Sequence, residues 1–242
     1  MNNKQIVDFI TTWLDSVVES ASCDGFVVGV SGGIDSALTS TLAANTGRNV
    51  LLLNMPISQE KGQYSRSNEQ IEWLKQKYEN VSSYEIDLTD SFNIFVDTMS
   101  ATDPTKLAVV NSASRLRMMT LYACANSKNY MVVGTGNKVE DYGIGFFTKY
   151  GDGGVDLSPI ADLLKSQVYE LASYMGVPKS IQNATPTDGL WEDNRSDEDQ
   201  IGASYDELEW ALEYNDSGAE EQLSERQKTV LEVYKQRHYS TK

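Results

Sequence analysis

The feature that most constrains the fold is a short apolar run that ends in a glycine-rich turn and continues into a helix. Residues 25–30 are uncharged, too few for a helix and bounded by glycine, which is typical of a strand buried on both faces of a parallel sheet. Residues 31–35 form a glycine turn, and helical periodicity returns over residues 36–44. A buried strand, a tight turn and a helix in this order indicate the start of a βαβ unit.

The same alternation continues along the chain. Apolar runs predict further strands over residues 49–54, 82–87 and 130–134. Three-to-four spacing predicts helices over residues 4–21, 64–78, 88–99, 104–127, 160–175, 197–213 and 219–236. We therefore expect an α/β fold, a doubly wound parallel sheet flanked by helices, in a single domain over residues 1–242. Residues 135–159 are glycine-rich and aperiodic, and a loop of this length is expected to be functional.

Charge and composition argue against several classes of function. The formal net charge of −15 disfavours a nucleic-acid binder, because phosphate backbones would be repelled. No segment approaches the ~20 apolar residues of a membrane span, and no secretory leader is visible, so we expect a soluble, cytoplasmic protein without a membrane partner. Cys23 and Cys124 are expected to be buried, reduced thiols. His238 is the only histidine and is expected to be solvated in a polar tail.

The glycine turn has the chemistry of a phosphate-binding loop. Gly32 and Gly33 allow positive φ and a close approach of the backbone to an anion, while the N–H groups of the turn and of the helix terminus face it. Asp35 would be repelled by bare phosphate, so its presence implies a divalent cation, for which Mg²⁺ is the usual choice. The loop carries neither Gly-Lys-Ser/Thr nor Gly-x-Gly-x-x-Gly. The predicted ATP-binding residues of the loop are Gly29, Val30, Ser31, Gly32, Gly33, Ile34, Asp35 and Ser36.

The Ser-Gly-Gly-Ile-Asp-Ser pattern resembles the signature of the N-type ATP pyrophosphatases, which adenylate an oxygen of their substrate and release pyrophosphate. Three further stretches are similar to ammonia-dependent NAD synthetase: Asn-Ser-Ala-Ser-Arg-Leu-Arg-Met over 111–118, Val-Gly-Thr-Gly-Asn-Lys-Val-Glu over 133–140, and Gly-Phe-Phe-Thr-Lys-Tyr-Gly-Asp-Gly-Gly over 145–154. The resemblance runs in order from about residue 5 to about residue 240. It implies the adenine nucleotide alpha hydrolase-like fold.

The resemblance also implies roles for individual residues. Further ATP contacts fall on Thr135, Lys165 and Thr187, the magnesium carboxylates on Asp35 and Glu140, and the deamido-NAD contacts on Arg115, Lys149 and Asp156. Lys165 would stabilise the leaving pyrophosphate, and Asp156 would take a proton from ammonium, so both are predicted to be catalytic. Without the resemblance, Lys165 would be a solvated helix lysine and Glu140 a surface residue.

Some neighbouring residues keep two interpretations. Arg117 is either a further ligand contact or a charge on the helix surface, and Phe146 and Phe147 are either core residues or a wall for an aromatic ring. The C-terminal His-Lys pair usual in the family is not matched, since His238 is followed by Tyr239, and we assign no residue to it.

The implied reaction has two steps. The nicotinate carboxylate of deamido-NAD attacks the α-phosphate of ATP, and ammonia then displaces AMP to give NAD. Residues before the first strand are too few for an amidase domain, so free ammonia is the expected donor, and a separate amidase subunit remains open. The family also implies a homodimer, with the helix over residues 104–127 as candidate interface, although a core helix would show the same pattern.

Two other functions remain open on the sequence alone. The phosphate loop also suits the ammonia-using half of a guanine-nucleotide synthetase or a tRNA thiolase, of which the negative charge and the two isolated cysteines disfavour the second. A non-catalytic adenine-nucleotide sensor would bind ATP without needing both Asp35 and Glu140.

Overall fold

The computed structural model describes residues 2–58, 61–187, 196–217 and 222–240. Its strands are β1 (Gly25–Gly29), β2 (Asn49–Asn54), β3 (Val81–Glu85) and β4 (Tyr130–Val133). Its α-helices are α1 (Asn3–Ser20), α2 (Ile34–Asn45), α3 (Lys61–Lys77), α4 (Thr89–Met99), α5 (Lys106–Lys128), α6 (Lys165–Met175), α7 (Lys179–Gln182), α8 (Asp197–Ile201), α9 (Tyr205–Ser217) and α10 (Glu225–Ser240). A 3₁₀ turn covers Ser100–Thr102, and a π-helix covers Lys138–Gly143.

The described strands form one parallel sheet in the order β3-β2-β1-β4, with Val27 of β1 paired with Leu51 and with Val132. Helices α1, α2, α3 and α6 pack on one face, and α5 packs on the other. The predicted doubly wound parallel sheet is therefore confirmed. The chain moves outward from β1 to β3 and returns to the opposite side of β1, so the strand order reverses between β1 and β4, where folds of this kind bind ligands.

A second hydrophobic core lies beyond the sheet. The π-helix contributes Val139 to it, α9 contributes Leu208 and Leu212, and α10 contributes Tyr234. Residues 135–159 are thus partly helical, and a π-helix within a functional segment is a common arrangement. That residues 1–242 form a single domain stays a prediction.

His238 is buried, so its predicted exposure is wrong. Its side chain is 3% exposed, its ring stacks on Tyr234, and Nδ1 lies 2.8 Å from the carbonyl oxygen of Gly143. The polar tail of the sequence is in fact the last turns of α10, and one face of that helix packs against the π-helix.

Most differences between predicted and observed elements lie at helix ends. The predicted helix over 197–213 is two helices, because Gly202 takes a left-handed conformation (φ +91°) that ends α8. The predicted helix over 160–175 begins only at Lys165, and the short α7 was not predicted. Cys23 and Cys124 are free thiols, half-buried rather than fully buried. Within the described ranges, no helix has both the length and the apolar character needed to cross a membrane.

Candidate active site

A cavity of about 650 Å³ opens at the carboxyl ends of β1 and β4, where the strand order reverses. Its volume is typical of a small-molecule site. The wall is formed by the turn after β1, the segment after β4, the N-terminus of α6 and residues from α3, α5 and α10. All eight residues of the predicted phosphate loop line it: Gly29, Val30, Ser31, Gly32, Gly33, Ile34, Asp35 and Ser36.

The positive φ predicted for the two loop glycines is found at Gly32 and not at Gly33, which has φ −90° as the N-cap residue of α2. Gly32 has φ +86°, and a Cβ atom there would lie 2.5 Å from the carbonyl oxygen of Gln63, so α3 packs directly on the loop. The hydroxyl of Ser36 donates to the Gly33 carbonyl (3.0 Å) and accepts from the Ser31 amide (3.2 Å). The N-cap residue of α2 is Gly33, which has no side chain to cap the helix, and the residues of this first turn line the cavity. A helix N-terminus without a cap from its own N-cap residue is suited to bind an anion.

Lys165 joins two carboxylates at the floor of the cavity. Its Nζ lies 2.6 Å from Asp35 Oδ2 and 2.8 Å from Glu140 Oε1, and its side chain is only 4% exposed. The three residues come from α2, the π-helix and α6. The interpretation of Lys165 as a solvated lysine and of Glu140 as a surface residue is thereby excluded.

Asn137 holds this cluster together. Its side-chain amide donates to Asp35 Oδ1 at 2.9 Å, and its carbonyl oxygen accepts from the backbone N–H groups of Val139 and Glu140 at 3.1 Å. It thus caps the π-helix that carries Glu140 and fixes the distance between the two carboxylates.

The charges in the cluster stabilise one another. Burial opposes the charge on Lys165, but Asp35 and Glu140 outweigh it and raise the lysine pKa above its usual range. Burial raises the pKa of Asp35, and Lys165 offsets only part of that rise. Burial also opposes the charge on Glu140. The attraction of Lys165 and the hydrogen bonds that the Glu140 carboxylate accepts outweigh burial, so the pKa of Glu140 is lowered. Lys165 is therefore a permanent cation shared between two acids.

The two carboxylates fit the predicted magnesium site. One carboxylate oxygen of each residue already converges on a single cation, the ammonium of Lys165. In proteins Mg²⁺ commonly combines one or two carboxylates with phosphate oxygens and water. In this structure the pair holds one cation, the Lys165 ammonium, next to the phosphate loop, and its carboxylate oxygens are of the kind that Mg²⁺ prefers.

Tyr205 and Asp197 belong to the same cluster, and neither was predicted from the sequence. The hydroxyl of Tyr205 lies 2.6 Å from Glu140 Oε1 and 3.2 Å from Asp197 Oδ2. Burial and the neighbouring carboxylates raise the tyrosine pKa, so the hydroxyl stays protonated and donates. Its ring centroid lies 4.6 Å from Lys165 Nζ, a cation–π distance. Tyr205 opens an acidic run in the sequence, which indicates only a solvated surface.

Thr135 and Thr187, the remaining predicted ATP contacts, line the same cavity. Thr135 follows β4 closely, and the Thr187 carbonyl accepts a bond of 3.4 Å from Gln63 Nε2 on α3. Arg117 also reaches the cavity, where its Nε donates to the Met55 carbonyl at 3.0 Å and burial lowers its pKa. Arg117 is therefore a wall residue and not a charge on the helix surface.

The predicted deamido-NAD residues do not line the cavity; two of them, Arg115 and Lys149, contact each other, and the third, Asp156, is bonded elsewhere. Arg115 and Lys149 are exposed, and Arg115 Nε donates to the Lys149 carbonyl at 3.1 Å. Asp156 accepts from the Tyr122 hydroxyl (2.9 Å) and from the Val132 amide at the edge of β4 (2.8 Å). Phe146 and Phe147 line the cavity, and Phe146 also packs against the second core.

A family model, a curated relative and two solved structures all relate this chain to NAD synthetases or to an NMN synthetase. The NAD synthase family model matches residues 6–241. An NH(3)-dependent NAD(+) synthetase of Mesoplasma florum is 37% identical over 92% of this chain and 91% of its own. The structure of NMN synthetase from Francisella tularensis is similar over 100% of this chain and 97% of its own, with a TM-score of 0.87 and 33% identity. The structure of the NH3-dependent NAD synthetase of Campylobacter jejuni, solved with a nitrate ion, is similar over 100% of this chain and 95% of its own. Its TM-score is 0.81 and its sequence identity is 26%. The chain belongs to the NAD synthase family.

Proposed function

We propose that this chain is an ammonia-dependent NAD synthetase, a ligase that uses ATP to amidate deamido-NAD and releases NAD, AMP and pyrophosphate in the last step of NAD biosynthesis. Within this family, one observation supports the proposal most strongly. The phosphate loop ends at the N-terminus of α2, beside the buried Lys165, whose ammonium is shared by Asp35 and Glu140. We also propose a cytoplasmic location, which is compatible with the two cysteines, Cys23 and Cys124, not being joined in a disulfide and which cell fractionation tests.

The first step is formation of an acyl adenylate. The N–H groups of the phosphate loop and of the α2 terminus bind and orient the phosphates of ATP. A carboxylate oxygen of the substrate attacks the α-phosphorus, and the electron pair of the breaking bond stays on pyrophosphate. Lys165 stabilises the charge that develops there. Bound Mg²⁺, which Asp35 and Glu140 would hold, supplies additional neutralisation of the phosphates.

The second step replaces AMP by ammonia. Ammonia attacks the acyl carbon of the adenylate, and the carbon–oxygen bond to AMP breaks. Ammonium must lose a proton to become nucleophilic, and we propose that the Asp156 carboxylate takes that proton, while the proton that the amide nitrogen loses after the attack passes to water. The bonds from Tyr122 and Val132 hold that carboxylate in one orientation.

We further propose that a second copy of the chain covers the α4–α5 face and completes the deamido-NAD site. No residue of α4 is buried, and Ile94 on it is 67% exposed. On α5, the exposed Met119 lies one turn from Arg115 and one turn from Tyr122, so apolar surface and predicted substrate contacts share one face.

Replacing Met119 by glutamate is expected to convert a dimer into monomers and to raise the KM for deamido-NAD at least about tenfold, because charges of like sign would meet at the interface. Light scattering and steady-state kinetics measure the two effects. Phe9→Glu is the control, since Phe9 is 72% exposed on α1. A wild-type monomer with full activity would refute the shared site.

One observation favours a second candidate substrate. The similar structure from Francisella tularensis is an NMN synthetase, whose acid precursor by chemistry is nicotinate mononucleotide. This substrate carries the same nicotinate carboxylate and lacks the second nucleotide.

The test is pyrophosphate release from Mg-ATP and ammonium with deamido-NAD, with nicotinate mononucleotide and with no acceptor. We expect release that depends on deamido-NAD and yields NAD. A higher kcat/KM with the mononucleotide would instead select the second candidate, and no release with either would leave a nucleotide-binding protein. In the same assay, an Asp156→Asn variant with unaltered turnover at saturating ammonium would remove the proton-acceptor role.

A further inference from the structure

Arg66 lies on α3 directly against the phosphate loop. Its Nε lies 3.2 Å from the Gly32 carbonyl oxygen, to which it donates a hydrogen bond. A Cβ atom built on Gly32 would be 3.3 Å from the Cβ of Arg66, so the helix and the loop are in van der Waals contact. The arginine side chain lines the same cavity as the loop. The rest of its guanidinium group is therefore presented next to the place where phosphates would bind.

Within the part of the chain that the structure describes, this guanidinium has no carboxylate counter-ion. Across the described ranges of the chain, no carboxylate oxygen lies within 4.0 Å of Arg66, and the bond to Gly32 is its single hydrogen bond there. The chain has 35 acidic residues against 20 Lys and Arg, so acidic partners are plentiful. A half-buried guanidinium left unpaired in such a chain favours an anionic ligand, because carboxylate and phosphate oxygens match its fork of donors.

The hydrogen bond from Arg66 to Gly32 indicates where the anion would bind. Two other arginines of the cavity wall also bond to backbone carbonyls, Arg117 to Met55 and Arg237 to Gln200. Arg66 is bonded to the phosphate loop itself. Its anion is therefore expected at the loop, and not at the end of β2 or beside α8.

The charge of Lys165 is already shared. Asp35 Oδ2 and Glu140 Oε1 lie 2.6 and 2.8 Å from its ammonium, so two acidic side chains already share that positive charge. Cleavage of ATP raises the negative charge of the leaving pyrophosphate, since the electron pair of the breaking bond remains on it. A further cation at the loop would stabilise that charge.

We propose that Arg66 binds the β- and γ-phosphates of ATP and remains bound to the pyrophosphate as it leaves. The assignment rests on the proposed function for its substrate, and it adds a residue of α3 to the phosphate-binding set. Arg66 is thus a direct substrate contact, and α3 is the element that brings it over the loop.

The test compares product inhibition by Mg-pyrophosphate and by AMP in Arg66→Gln, Arg66→Lys and wild-type protein. In Arg66→Gln we expect the inhibition constant of pyrophosphate to rise about 10- to 100-fold, as for loss of one charge-assisted contact, and that of AMP to stay within about twofold. Arg66→Lys should recover part of the lost affinity for pyrophosphate, because an ammonium restores the positive charge but not the paired N–H donors of a guanidinium. Lys75→Gln is the matched control, since Lys75 is exposed on the same helix and paired with Glu72.

Equal weakening of pyrophosphate and AMP in Arg66→Gln would overturn the proposal, because it would indicate a distorted loop. An unchanged inhibition constant for pyrophosphate would overturn it as well. Calorimetric titration of Mg-pyrophosphate into the same proteins needs no turnover. Failure of the proposed function would appear in the wild-type protein as absent pyrophosphate release, whereas failure of this inference would appear only in the comparison of variants.

Discussion

Replacing Lys165 by methionine is expected to lower turnover by on the order of 10²- to 10³-fold and, without added Mg²⁺, to reduce the free energy of unfolding by about 3–5 kcal/mol. Methionine has nearly the length of lysine and leaves no large void. It does leave Asp35 and Glu140, each with a side chain only 16% exposed, as like charges without the cation between them. Urea unfolding and pyrophosphate release measure the two effects.

Two variants separate charge from packing in this experiment. The double variant Lys165→Met with Glu140→Gln should recover much of the lost stability while remaining inactive, because it removes one of the two unpaired charges. Lys179→Met is the control, since Lys179 lies on the exposed side of α7 and pairs with Gln182. A Lys165→Met protein as stable as the wild type in the absence of Mg²⁺ would contradict the account of the cluster.

Replacing Gly32 by alanine is expected to lower turnover at a fixed ATP concentration by about 10²-fold or more. A left-handed conformation costs an alanine about 1–2 kcal/mol, and the new methyl group would lie 2.5 Å from the Gln63 carbonyl oxygen. The loop and α3 must then separate, and a displacement of about 1 Å in such a site is enough for an effect of this size. Steady-state kinetics with varied ATP measure it.

Gly47 provides a matched control for this variant. It has φ +80°, close to the value at Gly32, but a Cβ atom there meets nothing within 4 Å. Gly47→Ala should therefore show the backbone cost alone, as a small loss of stability with normal turnover. Equal turnover in the two alanine variants would show that the packing of α3 on the loop is unimportant for activity.

Local sequence patterns predicted the framework of the site well. The apolar run over 49–54 coincides with β2, and the glycine turn after β1 has the expected positive φ at Gly32. A buried parallel strand has a short, uniformly apolar sequence, so it can be predicted from its own residues without knowledge of distant ones. The resemblance to NAD synthetase assigned Lys165 to ATP and Asp35 and Glu140 to magnesium, and the structure brings the three within hydrogen-bonding distance.

The remaining site residues depend on long-range packing, which no local pattern encodes. Tyr205 meets Glu140 across 65 positions of sequence, and Arg66 meets Gly32 across 34. In the sequence, Arg66 is one charge on a polar helix and Tyr205 precedes an acidic run. His238 was predicted wrongly for the same reason, since α10 has a strongly polar composition yet buries one face against the π-helix.

The proposed function requires that this site activates a carboxylate by transferring AMP to it. Its most direct test uses deamido-NAD with ¹⁸O in both oxygens of the nicotinate carboxylate, followed by mass spectrometry of the products. If the carboxylate attacks the α-phosphorus, one ¹⁸O must appear in each AMP, none in pyrophosphate, and one must remain in the amide of NAD. Unlabelled AMP, or formation of ADP with ¹⁸O in orthophosphate, would contradict adenylation and with it the role assigned to the phosphate loop and Lys165.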